Sequence, residues 1–376
     1  MVQVSFPALL EDAYVPGLSR EYVHQKFGIP LDDIAKLGSA ENPFGASPMA
    51  MRAVERATSR LDLYPEWTGR NLREAIARKY GVHPDAVVCG AGETEIISSI
   101  LRAFAKPGEP VLMYEPCFPI YHMYAENEGR LPVYVPLGPQ FDFAIDRYVE
   151  ALRNRPRIAF ITNPHNPTGK LMAQNDIRRI CEAAAESGTL LVLDEAYIHY
   201  SETSGGLHLT KDYPNLIVLR TFSKAFGLAG LRVGFGVGQS AQTVKPLWNI
   251  KPTWNMGQAQ VAGGIAALAD DEHVEKTVKA IVEMRAYVTN KLDGLNSFRM
   301  VPGSRSNFFL LEVVDPKLTS TRVFEELLKR GVIVKDGSVS FRGLRDRYLR
   351  SDVSLRRHMD RLAWALGEVA ADVPRS

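Results

Sequence analysis

Ile158-Ala159-Phe160-Ile161-Thr162-Asn163-Pro164-His165-Asn166-Pro167-Thr168-Gly169 reads as a short apolar strand running straight into a turn. The apolar run has no polar alternation, which suits a strand covered on both faces. Asn, Pro and Gly after it are turn residues. Beyond the turn, Ile177, Ile180, Cys181 and Ala184 recur at helical spacing. Strand, turn and helix in that order are the repeating unit of a parallel sheet. The unit recurs on either side. Apolar runs at residues 86–89, 110–114, 190–193, 216–220 and 232–236 read as further strands, and Ile96, Ile97, Ile100, Leu101 and Phe104 mark a helix after Glu93-Thr94-Glu95. The spacing from Met49 to Gly236 therefore predicts an α/β domain with a mostly parallel sheet.

Past that region the pattern changes. A long helix is expected over residues 259–292. After Pro302 a smaller α+β unit follows: a strand at 308–313, a helix at 320–330, strands at 332–335 and 348–352, and a last helix to about 370. The expected division is an N-terminal arm at 1–45 joining the small domain, a large domain at 46–260, a linking helix at 261–292 and a small C-terminal α+β domain at 293–376.

Composition excludes several function classes. Lys plus Arg number 45 against 43 Asp plus Glu, a net charge of +2. That leaves no basic excess to neutralise a nucleic-acid backbone. The three cysteines, Cys89, Cys117 and Cys181, form no C-x-x-C pair, and an odd number argues against a disulfide framework. A reducing, cytoplasmic compartment is expected. Residues 1–10 lack the pattern of a signal peptide, and no apolar run approaches the ~20 residues that span a bilayer.

Four segments carry the chemistry: Gly90-Ala91-Gly92-Glu93-Thr94-Glu95, Asn163 to Gly169, Asp194-Glu195-Ala196-Tyr197, and Thr221-Phe222-Ser223-Lys224 running on to Arg232. Each follows an expected strand, so all four should face one crevice at the carboxyl ends of the sheet. Their residue types match the needs of pyridoxal phosphate. Lys224 is the amine for the aldehyde. Asp194 keeps the ring nitrogen protonated. Asn166 and Tyr197 donate to the phenolic oxygen. The N–H groups of Gly92, Glu93 and Thr94 at a helix start, the hydroxyls of Thr221 and Ser223 and the guanidinium of Arg232 cradle the phosphate. Phe118 is the candidate aromatic face for the ring.

Asn166-Pro167-Thr168-Gly169, Asp194-Glu195-Ala196-Tyr197 and Ser223-Lys224 with Arg232 eight residues on resemble the signature of fold-type I aminotransferases. The nearer resemblance is to the histidinol-phosphate aminotransferase family, through Tyr14-Val15-Pro16-Gly17, Glu41-Asn42-Pro43-Phe44-Gly45, Tyr64-Pro65 and the run from Arg220 to Arg232. It covers nearly the whole chain. It implies a large domain around a mostly parallel seven-stranded sheet and a smaller α+β domain. Lys224 would be the Schiff-base lysine that also carries the proton in amino transfer from an L-amino acid or phosphorylated amine. Tyr64 would reach the cofactor phosphate of a neighbouring subunit in a homodimer. Arg350 would grip the substrate carboxylate, with Asn42 and Tyr14 nearby.

The chain departs from that family at Ala40, where Asn is usual, at Lys335, where Arg is usual, and at Ser351-Asp352, which replaces a β-branched pair. Residues 335–344 and Gly92-Glu93-Thr94-Glu95 look more like threonine-phosphate decarboxylases. These departures fall where the substrate tail should bind, so an α-decarboxylation or other amino-acid-modifying reaction on the same cofactor is the rival reading. Other readings are blander. Asp194 and Glu195 could begin a helix as an N-cap, and Tyr197 and Phe118 could be core aromatics. Gly90 and Gly92 invite a dinucleotide reading, but the third glycine is replaced by Glu95. His165 has no second ligand at metal spacing. The arginines at 342, 345, 347, 350, 356 and 357 suit a small anionic substrate better than nucleic acid, because stacking aromatics are not interleaved.

Overall fold

The computed structural model describes residues 17–372. Its larger layer is a seven-stranded sheet made of Val87–Gly90 (β1), Pro110–Glu115 (β2), Leu131–Pro136 (β3), Ile158–Thr162 (β4), Leu190–Asp194 (β5), Leu216–Thr221 (β6) and Gly234–Val237 (β7). The spatial order is β1-β7-β6-β5-β4-β2-β3. β7 runs antiparallel to both neighbours, and the remaining pairs are parallel. Alternate residues enter different apolar clusters, as a strand's period of two requires. Leu112, Ala159, Leu191 and Val218 face one layer of helices. Val111, Phe160, Val192 and Ile217 face the other. Each of these Leu, Val, Ile and Phe side chains contributes about 1.5–3 kcal/mol by leaving water. This burial fixes the register that brings the ends of β4, β5 and β6 side by side.

Three expectations are corrected. β3 was not anticipated from its residues. It is an edge strand whose outer face is exposed, with Pro132 and Pro136 in it, so it shows no continuous apolar run. β7 begins at Gly234, not at 232, because Arg232 adopts a left-handed backbone (φ 58°) before the strand starts. The expected helix over 259–292 is two helices, Gln258–Leu268 and Asp271–Leu292. Asp270 separates them. Its carboxylate caps the second helix at the His273 N–H and accepts from Ser47 Oγ at 2.6 Å, which is how an N-cap residue stabilises a new start.

The smaller unit holds a four-stranded antiparallel sheet, ordered Lys335–Asp336, Tyr348–Asp352, Phe308–Val313, Phe298–Met300. Asp271–Leu292, Ser320–Lys329 and Arg356–Ala371 supply helices around a core that includes Phe309, Leu311, Leu327 and Leu362. The strand expected at 332–335 is split. Val332–Ile333 pairs in parallel with Ala35–Lys36 of the N-terminal arm, whereas Lys335 pairs with Arg350. The arm is thereby stitched to the small unit. Among the described residues no helix is long and apolar enough to cross a membrane.

Candidate active site

The ends of β4, β5 and β6, the start of the helix Glu93–Phe104, the arm and the strand Tyr348–Asp352 surround one cavity of about 230 Å³. Glu93, Thr94, Phe118, Asn166, Asp194, Tyr197, Thr221, Ser223, Lys224, Arg232 and Arg350 all line it. Asp194 ends β5, where the sheet turns its carboxyl into the cavity. Its Oδ1 accepts the Ala196 N–H at 2.9 Å, and its Oδ2 accepts the Tyr121 hydroxyl. Tyr121 in turn lies 2.8 Å from Thr162 Oγ1, with its ring stacked on Phe160. Burial raises the Asp194 carboxyl above its ordinary range, against the pull of these donors and of Lys224.

Lys224 sits just after β6, with Nζ 3.2 Å from the Ser39 carbonyl oxygen. Burial, and then the positive charge of Arg350, depress its amine to about 8. A lysine so placed keeps a usable share of free amine near neutral pH, which nucleophilic and proton-transfer chemistry needs.

The anion cradle is built around Gly92, whose φ of +81° suits glycine. A Cβ there would stand 2.2 Å from Arg232 Nη2, so only glycine lets the helix start approach the guanidinium. Arg232 donates to Thr94 Oγ1 (3.4 Å) and Ser223 Oγ (3.5 Å), while Gln260 holds its carbonyl at 2.7 Å. Thr221 Oγ1 donates to Ser223 Oγ at 3.0 Å. Three hydroxyls, a guanidinium and the N–H groups of Glu93 and Thr94 at a helix start thus converge, whereas the Gly92 N–H, expected to join them, is held by the Gly90 carbonyl at 2.7 Å.

On the opposite wall, Arg350 donates to Asn166 Oδ1 (2.9 Å) and to the Gly38 carbonyl (3.0 Å), and its buried Nε has no partner among the described residues. Asn166 Nδ2 lies 3.5 Å from the Tyr197 hydroxyl. Phe118 meets Tyr121 edge-on at 5.6 Å.

Residues 38–40 of the arm close the cavity, and they are latched from the far end of the chain. Asp352 Oδ2 accepts both the Ser39 N–H (2.9 Å) and the Ala40 N–H (2.6 Å), and Asn307 Nδ2 donates to the Ala40 carbonyl (3.1 Å). Ala40 has φ 51°, a left-handed conformation that costs about 1–2 kcal/mol for a residue with a Cβ. The latch offsets that cost and aims the Ser39 and Gly38 carbonyls at Lys224 and Arg350.

One residue expected near this cavity, Asn42, lies elsewhere, and Tyr64 is expected at a neighbouring subunit's site. Asn42 does not line the cavity. Its amide is engaged by the Ala225 carbonyl and Thr277 Oγ1, and its Oδ1 accepts the Phe44 N–H, so it shapes the arm's turn. Tyr64 is 79% exposed and stacks on Trp254 at 4.6 Å, outside this cavity. Tyr14 lies outside the described residues. Glu95, the residue that spoiled the dinucleotide fingerprint, folds back onto the Ala91 N–H and accepts from Asn255 at 2.9 Å. Tyr121 and Ser39 were missed from sequence, and Asp352 stood out there only as a departure from the family's pattern, not as a latch. No motif marks them, because each acts through a partner distant along the chain.

A family model described as aminotransferase class I and II matches residues 32–351. The histidinol-phosphate aminotransferase of Anaeromyxobacter sp. (strain Fw109-5) is 37% identical over 359 residues, covering 95% of this chain and 96% of that protein. The crystal structure of histidinol-phosphate aminotransferase from Sinorhizobium meliloti in complex with pyridoxal-5'-phosphate superposes with a TM-score of 0.86 at 26% identity, covering 96% of each chain. L-threonine-O-3-phosphate decarboxylase from Porphyromonas gingivalis shares the fold, with a TM-score of 0.78 at 20% identity over 89% of this chain and 99% of that one. Matched by that family model over most of its length and by relatives over nearly all of it, the chain belongs to the class I and II aminotransferase family.

Proposed function

We propose that this protein is a pyridoxal-phosphate-dependent aminotransferase that moves the amino group of a small L-amino acid or phosphorylated amine, in the manner of the histidinol-phosphate aminotransferases it resembles. The observation that carries this reading is that Lys224, Asp194, Arg232 and Arg350 line one cavity. The residues fit the cofactor and its substrate: Gly92, at φ +81°, lets the helix start lie against the Arg232 guanidinium, and among the described residues Arg350 Nε is buried without a partner, open to a substrate carboxylate.

The cofactor supplies an aldehyde that takes up an amino group and a ring that withdraws electrons from the adjoining carbon. Asp194 would face the ring nitrogen and favour its protonated form. Asn166 and Tyr197 would orient the phenolic oxygen, and Phe118 would cover a ring face. Glu93 and Thr94 would offer backbone N–H groups to the phosphate, joined by Thr221, Ser223 and Arg232, while the Gly92 N–H is held by the Gly90 carbonyl at 2.7 Å. Lys224 would hold the aldehyde and move the proton at the substrate Cα. Arg350 binds the substrate carboxylate, a geometry that guanidinium suits better than ammonium. Lys335 lies opposite Arg350 in antiparallel register, and burial holds its amine down to about 8. A second cation one strand away supports a substrate with a second anionic group.

We further infer a cytoplasmic homodimer in which Tyr64 reaches the phosphate of the neighbouring site. The exposed band of Leu61, Leu63, Tyr64, Trp67 and Trp254 supports it. The rival decarboxylation is separated by its products. Purified protein is expected to absorb visible light when loaded with pyridoxal phosphate, whereas Lys224→Ala does not. Incubation with an amino-acid panel and 2-oxoglutarate is expected to yield glutamate. Equal absorbance in both proteins overturns the lysine assignment, and carbon dioxide without glutamate overturns amino transfer.

A further inference from the structure

Glu93 opens its helix with a backbone N–H, yet its side chain does not lie in solvent as a first-turn acid usually does. The residue is only 8% exposed, and Oε1 is enclosed with no hydrogen-bond partner. The carboxyl lines the same cavity as that of Asp194, and each acid bears on the other's titration. Packing explains why it is turned inward. A Cβ at Gly234 would stand 2.5 Å from the Glu93 nitrogen, so the helix start is pressed onto β7.

Two carboxyls in contact do not both ionise. Asp194 receives the Tyr121 hydroxyl and the Ala196 N–H, which favour its anion. Glu93 is pushed well above the ordinary carboxylate range by burial and then by the charge of Asp194. The proton of the pair therefore sits on Glu93. A carboxylate offers about four acceptor positions. Tyr121, Ala196 and Glu93 take three of them, leaving one for a ring nitrogen.

We propose that Glu93 is a positioning residue for Asp194: a neutral carboxylic acid that donates a hydrogen bond to the Asp194 carboxylate and so sets how firmly the coenzyme's ring nitrogen keeps its proton. This rests on the reading that Asp194 faces that nitrogen. The added donor draws charge from Asp194, which makes it the weaker base and leaves the proton on the ring. It also fixes the carboxylate plane, so that the remaining acceptor position points into the cavity.

The test compares wild type, Glu93→Gln and Glu93→Ala. Apoprotein is titrated with pyridoxal phosphate for its dissociation constant, and visible absorbance of the loaded protein is followed against pH. A glutamine amide donates the same hydrogen bond without a titratable proton, so Glu93→Gln should stay within about twofold of wild type, with an unmoved absorbance midpoint. Glu93→Ala should bind the coenzyme roughly tenfold more weakly and shift the midpoint, as expected for loss of one hydrogen bond to a charged group. Infrared difference spectra of the apoproteins should show a neutral-acid carbonyl band in wild type that Glu93→Gln lacks. Glutamine behaving like alanine, alanine behaving like wild type, or no neutral-acid band would each overturn the proposal. A wild type with no visible band at all would sink the coenzyme reading instead, and the infrared comparison would still decide the state of Glu93.

Discussion

Asp194 and Glu195 are consecutive, both buried and both acidic, and the sheet sends them to opposite sides. Glu195 meets Arg220 in a two-pronged pair, Oε2 accepting Nε at 2.9 Å and Nη2 at 2.7 Å, while Oε1 accepts the Gly206 N–H. Arg220 also donates to the Ser204 carbonyl at 3.0 Å and covers the Tyr80 ring. The glutamate's acceptor positions are thus met from within the fold. Asp194 meets only neutral partners, Tyr121, Ala196 and Glu93, with the charge of Lys224 further off. A buried acid with its own guanidinium holds structure together. A buried acid beside another acid, at the mouth of a cavity, leaves room for a cation to arrive.

The contrast can be broken by experiment. Asp194→Ala should lower turnover by roughly 10⁴-fold, about 5 kcal/mol of barrier, with little loss of apoprotein stability because it removes one of two crowded carboxyls. Steady-state amino transfer and a thermal melt of apoprotein check both halves, and a large melt shift would erase the distinction between the two acids. Arg220→Ala should do the reverse. Stranding Glu195 without its partner is expected to cost about 3–5 kcal/mol of folding stability, read by urea unfolding, while folded molecules keep their coenzyme absorbance. The smallest effect concerns Lys224. Its amine titrates near 8 when folded and near the ordinary 10.5 when unfolded. The unfolded chain therefore binds more protons between those values, and apoprotein stability should rise with pH across that window. Lys224 contributes at most about 1.4 kcal/mol per pH unit to that slope, so Lys224→Met should reduce it by that share and leave the part carried by Lys335, whose amine is also held down to about 8.

Much of this was legible in the sequence because strands covered on both faces advertise themselves. Ile158–Thr162 and Leu190–Asp194 are continuous apolar runs, and the residues that follow them must gather at one edge. What escaped was whatever packing decides late. The edge strand Leu131–Pro136 has one wet face and two prolines. The helix break at Asp270 depends on Ser47, far away in the chain. Tyr121 carries no signal, since a tyrosine in an amphipathic helix reads as core. Asn42 has the expected residue type in the expected order, but its amide is consumed by Ala225 and Thr277. Spacing gives the neighbourhood of a side chain and not which way its polar end turns.

The latch on residues 38–40 joins parts of the cavity wall that lie far apart in sequence. Arg350 reaches Gly38 across 312 positions, and Asp352 reaches Ser39 across 313. Contacts so far apart carry the steepest loop-closure cost and form late. The seven-stranded sheet is complete by Val237, yet the wall that would seat a substrate needs residues 38–40 docked on residues 350 and 352. Copies cut short before residue 350 would keep every strand of that sheet and lack the wall.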